Sequence, residues 1–344
     1  MPLEAEDPEE AWADESIPLN PVNHLMTHLP KDRRCEVCVQ AKLYETPHRR
    51  RENQREAIRD ARDVEEPSEY LEKVACDHII LRNEPGFRGE CYSFVIVDRF
   101  TGYAGIFPLK SKTADEVESS FRKFCGRRRP GIVIVGSDRA PEILAAIRAL
   151  GFNSEPSAPR QAIHNPFAES FIRTLTGMTA SVLLQAGLSH EYWPLAHKYL
   201  EWSYSITAIA NKESTKTCFE KVHGYAFEGF KVPFGALVWI KSEDQMSFEP
   251  KGEGALFLGA EITDGMKFKG LYLTWPLQNF LEKSFKQKVV RTLAVPPGPW
   301  RFPAKIGKPI EIEQPGQPGY LGDSKDSNVE QDIDWFIAEV EGLG

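Results

Sequence analysis

Apolar and polar positions alternate along this chain with two different periods, and the changes of period mark its elements. Three short apolar and β-branched runs, Lys73 to Leu81, Glu90 to Asp98 and Tyr103 to Leu109, are separated by the turn pairs Pro85-Gly86 and Thr101-Gly102. Consecutive strands joined by short turns predict an antiparallel meander. From Thr113 to Cys125 the period becomes helical, with Val117, Phe121 and Phe124 on one side. The apolar run Gly131 to Val135 then ends in Gly136-Ser137-Asp138 and reads as a buried strand, parallel to the first because a helical crossover precedes it. A helix over Pro141 to Leu150, a strand over Phe152 to Pro156 and a long helix from Pro166 to about Gly187 follow. In that long helix Phe167, Phe171, Leu175, Met178 and Val182 form one stripe, expected to face the core, while Glu169, Arg173 and Thr176 share another. A further helix is predicted over Glu191 to Ala210. The short alternating runs Pro233 to Ile240, Gly254 to Gly259 and Gly270 to Trp275 suggest a small β-barrel of the SH3 type.

Charge changes the picture by its distribution. The net charge is -8. Residues 1–20 hold seven acids and no base, and residues 309–344 hold nine acids against Lys325, so the tails account for -7 and -8 and the body between them is +7. A basic body suits a phosphate-backbone partner, and the acidic ends read as solvated tails, the second with one terminal helix over Asp332 to Val340. No long apolar run and no signal peptide are visible, so the chain is expected to be a soluble intracellular protein without a membrane partner. Cys76, Cys91, Cys125 and Cys218 lie in apolar patterns and read as buried free thiols. The pattern predicts a tail over 1–20, a metal module over 21–41, an Arg-rich linker over 42–71, a core over 72–225, a β domain over 230–295 and a Pro-rich acidic tail over 296–344. In the linker, Arg49, Arg50 and Arg51 fit either a solvated segment or a phosphate contact.

Two constellations carry candidate chemistry. His24-x3-His28-x6-Cys35-x2-Cys38 places two imidazoles one helical turn apart beside a Cys-x-x-Cys knuckle, a donor set that suits four-coordinate zinc. Surface histidines beside an incidental cysteine pair are the other reading. The segment is too short to bury a core, so a metal would supply much of its folding energy. The second constellation is Asp77 inside an apolar strand, Asp138 at a strand end and Glu169 at a helix start. An acid inside a strand is costly unless it is paired or binds a cation, and three that converge suit two hard divalent ions. Asp98 competes with Asp77, but it precedes a turn, where aspartate commonly caps. Taken alone, Asp138 fits a turn and Glu169 an ordinary first-turn helix acid.

In order, these motifs resemble the integrase region of a copia-type retrotransposon polyprotein, within the retroviral-type integrases, over roughly Asn23 to Phe280. The family's strand aspartate, its S-D-N-G-x-E-F-like turn and its N-G-x-x-E-R segment correspond to Asp77, to Asp138 in S-D-R-A-P-E-I and to Glu169 in N-P-F-A-E-S. The resemblance implies an α/β, ribonuclease-H-like mixed five-stranded sheet with flanking helices, an N-terminal zinc module and a C-terminal small β-barrel. It implies DNA strand transfer by Asp77, Asp138 and Glu169 holding two Mg2+ or Mn2+ ions, with Zn2+ on His24, His28, Cys35 and Cys38. Arg49, Arg50, Arg51 and Arg173 would contact DNA, both element ends and target, in a homo-multimer acting in the nucleus on chromosomal DNA. Arg139, Ala140, Pro166 and Ser170 depart from the family's turn and helix residues. An inactive or domesticated nucleic-acid-binding copy therefore stands as one alternative, and a ribonuclease-H-like nuclease as another.

Overall fold

A computed structural model of the chain describes residues 21–42, 67–126, 134–138, 140–156, 166–209, 214–242, 248 and 250–305. Both acidic tails, the proposed terminal helix, most of the linker with Arg49, Arg50 and Arg51, and the residues just upstream of Pro166 lie outside the described residues.

The meander forms as its turns require. Strands β1 (Lys73–Ile80), β2 (Tyr92–Asp98) and β3 (Ala104–Leu109) pair antiparallel, with Cys76 opposite Ile96 and Val95 opposite Ile106. Asp98 closes the second turn: fully buried, its carboxylate accepts from the amides of Leu71 and Thr101, both at 2.8 Å, and from the Thr101 hydroxyl at 2.6 Å. Helix α3 (Ala114–Cys125) starts at Thr113, whose hydroxyl caps the Glu116 amide, and buries Val117, Phe121 and Phe124. Strand β4 (Ile134–Ser137) then enters parallel to β1, α4 (Pro141–Leu150) carries Pro141 in its first turn and ends at left-handed Gly151, and β5 (Asn153–Pro156) pairs with β4. The sheet order β3-β2-β1-β4-β5 makes β1 central. This is the mixed five-stranded, ribonuclease-H-like sheet that the element order implies.

Two helices cover the sheet. In α5 (Pro166–Ala186) Phe171, Leu175, Met178 and Val182 are buried as the stripe predicts. Phe167 departs from it, being 42% exposed with the Arg99 guanidinium 4.0 Å from its ring centroid. Helix α6 (Trp193–Thr207) begins after a 3-10 turn at His190–Tyr192 and is buried nearly all round. Its Glu201 lies in the interior and accepts from the Ile106 amide of edge strand β3 at 2.9 Å, giving that exposed ladder position a partner. Burial pushes the Glu201 carboxyl up to about 7.

After the short helix α7 (Cys218–His223), strands β6 (Leu237–Lys241), β7 (Gly252–Thr263), β8 (Lys267–Pro276), β9 (Lys288–Val290) and β10 (Leu293–Ala294) form a second, antiparallel sheet. Its order, β10-β6-β7-β8-β9, brings the last strand back beside the first, so the meander coils toward a small barrel. One cluster of buried apolar side chains runs from Met26 through both sheets to Leu293. Residues 296–305, expected to begin a tail, instead pack against it: Trp300 and Phe302 are partly buried and the Arg301 carbonyl accepts from the Leu237 amide at 2.8 Å. Of the four scattered cysteines, Cys76, Cys125 and Cys218 are buried and free, while Cys91 is only half-buried.

The end of α3 meets the turn between β7 and β8 closely at Gly126, whose φ of 62° and ψ of -145° suit only glycine. A Cβ there would lie 2.6 Å from the Gly265 Cα, where the Gly265 amide also donates to the Lys123 carbonyl at 2.7 Å. Gly126→Ala is therefore expected to destabilise the protein by about 2–3 kcal/mol, from backbone strain and overpacking together. Urea unfolding reads this directly, and a change under about 0.5 kcal/mol would place the constraint elsewhere.

Candidate active site and metal-binding module

Strand pairing brings two of the three acids together. The parallel ladder aligns Lys73 with Ile134, Val74 with Val135 and Ala75 with Gly136. The ladder ends there: Asp77 lies two residues further along β1, and Asp138 just beyond the end of β4. Asp138 follows the last residue of β4, and its carboxylate accepts from the Ala140 amide at 3.1 Å as the chain turns into α4. Glu169 is exposed in the first turn of α5, a helix that packs against β1 and β2. Arg173, one turn further along the same face, is also exposed.

Electrostatics ties all three to one neighbourhood. Burial pushes the Asp77 carboxyl up to about 6, and the charges of Asp138 and Glu169 add to that rise. The His78 amide, donating to Asp77 at 2.7 Å, and the Lys112 ammonium act in the opposite sense. Lys112 itself pairs with Glu142 at 2.6 Å. Clustered like charges are a donor set for a hard, oxygen-seeking ion. The three carboxylates thus act on one another through a shared field. Among the described residues, the group whose ligand atoms all lie within 4.8 Å of one another is a different one.

That group is His24, His28, Cys35 and Cys38, all buried. Helix α1 (Pro21–Thr27) supplies His24 and packs on α5 and α6. Helix α2 (Glu36–Ala41) supplies Cys38 and packs on α5. The Sγ of Cys38 is 3.6 Å from both His24 Nε2 and His28 Nδ1, and the Sγ of Cys35 is 3.6 Å from His28 Nδ1. Tetrahedral zinc with ordinary Zn–S and Zn–N bonds puts sulfur and nitrogen about 3.5 Å apart, so the cage already has the size of the ion. Burial lowers the His28 imidazole to about 4, which keeps it neutral, as a ligand must be. The hydrogen bond from Cys38, then those from His24 and His28, hold the Cys35 thiol well below its usual range.

Lys42 belongs to this site and the sequence reading placed it in the linker. Only 5% exposed, it donates from Nζ to the His28 carbonyl at 2.6 Å. Burial lowers it to about 8, against the pull of Cys38 and Cys35. The available signal was its position four residues after Cys38, one helical turn along the same face.

No protein-family model matches the chain. Two Pol polyproteins of Arabidopsis thaliana do. The retrovirus-related Pol polyprotein from transposon RE2 is 26% identical over 185 residues, 50% of this chain and 12% of that protein. The one from transposon RE1 is 26% identical over 210 residues, 57% of this chain and 14% of that protein. The matched segments thus span about an eighth of those relatives' own length. Among solved structures, the HTLV-2 integrase catalytic core domain in complex with magnesium, a trimeric form, aligns with 16% identity and a TM-score of 0.34 over 44% of this chain and 97% of its own. The simian T-cell lymphotropic virus intasome in complex with PP2A regulatory subunit B56 gamma aligns with 12% identity and a TM-score of 0.36 over 81% of this chain and 100% of its own. In sequence, the chain is similar to the retrovirus-related Pol polyproteins of transposons over half of its length or slightly more.

Proposed function

We propose that this chain is the integrase region of a retrotransposon polyprotein and joins a DNA 3′ end to target DNA. The observation that carries the reading is the Asp77 carboxyl, raised by burial and further by the charges of Asp138 and Glu169, on a strand that pairs parallel with the one leading to Asp138. A pair of Mg2+ or Mn2+ ions, when bound, supplies the charge that activates the 3′-hydroxyl and stabilises the leaving oxygen. Asp77 and Asp138 present oxygens from the sheet, and Glu169 presents its own from the opposing helix. Arg173, on the Glu169 face, suits a backbone phosphate, as do Arg49, Arg50 and Arg51. The His-His-Cys-Cys cage holds Zn2+ and fixes the N-terminal helices on α5 and α6. Element ends and target DNA are the partners, a homo-multimer is the working form, and the nucleus is the place of action on chromosomal DNA.

A strand-transfer assay with Mg2+ or Mn2+ tests this. The wild type is expected to yield joined products and Asp138→Asn none. Equal background from both supports a second reading, an integrase fold kept for binding nucleic acid. One observation favours that rival: Arg139, Ala140, Pro166 and Ser170 depart from the family's motifs. Cleavage without joining would instead indicate a nuclease, for which neither the zinc cage nor the second sheet has a use.

A further inference from the structure

A lysine beside the metal cage is itself buried, which calls for a reason. Lys42 follows α2, and its ammonium reaches past Cys38 to the carbonyl of His28, a residue held at a φ of 53°. That carbonyl has a second donor, the Cys38 thiol at 3.7 Å. A metal-bound Cys38 is a thiolate and has no proton to give. In the loaded state the His28 carbonyl therefore depends on Lys42, and Lys42 faces two anionic sulfurs. Buried Asp32 pairs with Arg34 at 2.8 Å and is neutral in sum, and Lys305 also feels the charge of Cys35, but Lys42 is the cation bonded to the backbone of a ligand.

We propose that Lys42 is the positioning residue of the zinc cage. Its ammonium fixes the backbone that aims His28 and offsets the two thiolates, so that it retains the ion without touching it. The inference rests on the zinc reading of the four ligands. It is of the outer-shell kind, in which a group bonded to a ligand's surroundings sets metal affinity by about 10–100-fold. An unpaired lysine in so small a module is otherwise a net cost, since a buried charge must find compensation. The thiolates supply it only when they are ionised, so the ammonium and the loaded cage stabilise each other.

The test uses the full zinc-loaded chain and follows transfer of the ion to a chromophoric chelator, with Co2+ substitution as a spectroscopic reporter of the thiolates. Lys42→Met, which keeps the stem and removes the charge, is expected to release zinc about 10–100-fold faster than wild type and to shift the sulfur-to-cobalt charge-transfer band. Lys42→Gln keeps an N–H donor without the charge and is expected to fall between the two. Should Lys42→Met fail to fold, Lys42→Gln decides alone. Release within about twofold of wild type with an unmoved cobalt band overturns the role of Lys42. A wild type that takes up neither zinc nor cobalt overturns the metal reading itself, a result distinguishable from the first.

Discussion

Cys38→Ser, or chelation of zinc from the wild type, is expected to unfold residues 21–42 and to weaken the rest of the protein with them. The reason is the size of the module's own core. Cys35, Val37 and Cys38 form a separate buried cluster, with Leu184 of α5 packed against it, and two of those three side chains are ligands. Zinc in comparable small sites contributes about 10–16 kcal/mol of binding free energy, which becomes folding free energy when the site exists only in the folded state. Met26, fully buried in the main cluster, ties the module to the body, together with bonds from Gln185 to the Leu25 carbonyl at 3.0 Å and from Ser203 to the Met26 carbonyl at 3.4 Å. Exposing Met26 and the α5 surface beneath costs about 2–4 kcal/mol, or a drop in Tm of roughly 5–10 °C. Limited proteolysis should cut within residues 21–42 only after chelation, and added zinc should reverse both changes. Protection of that segment in a chelator would show that the cage folds without an ion.

The element order was legible because each strand and helix carries its own period. β1 to β3 announce themselves by alternation and turn pairs, and Asp98 by its place before a turn. What local pattern could not supply is the partner of each face. The helical stripe assigned Phe167 to the core because period gives direction around a helix, not how far along it a neighbour extends. At that first turn the neighbour is the Arg99 guanidinium, and the ring stays half open. Lys42 stands in sequence at the start of the Arg-rich linker, and only the fold of residues fourteen positions earlier brings the His28 carbonyl to it. Glu201 looks like one of the polar residues of an amphipathic helix, yet its partner is an edge-strand amide 95 residues away. The zinc donors were readable from spacing alone, whereas their docking on α5 depends on contacts some 160 residues apart. For the acids the sequence offered two strand candidates, and their surroundings differ: Asp98 accepts from Leu71 and Thr101, while Asp77 accepts from its neighbour His78 and feels the charges of Asp138 and Glu169.

Asp77→Asn is expected to lower strand transfer at least about a thousandfold, which corresponds to some 4 kcal/mol of lost transition-state stabilisation, and yet to raise the stability of the metal-free protein at neutral pH. The second effect follows from the direction of the carboxyl's shift. Asp77 loses its proton near pH 6 in the fold and near 3.8 in the unfolded chain, because burial and the charges of Asp138 and Glu169 disfavour the anion. Below about pH 3.8 both states are protonated and no penalty exists. As pH rises from there to about 6 the unfolded state ionises first, stability falls, and above pH 6 the whole penalty is in place. Discounted for the solvent that still reaches the group, it amounts to roughly 1–2 kcal/mol. Asparagine removes it, so the variant's Tm should exceed the wild type's by about 2–6 °C at pH 7.5 and converge on it near pH 4. Mg2+ should raise the wild-type Tm and leave the variant nearly unmoved, because a cation relieves a repulsion that only the wild type contains. A metal-free Asp77→Asn protein that melts below wild type at pH 7.5 would mean that the Asp77 carboxylate is held by the fold rather than against it, and the two-ion site would lose its main support.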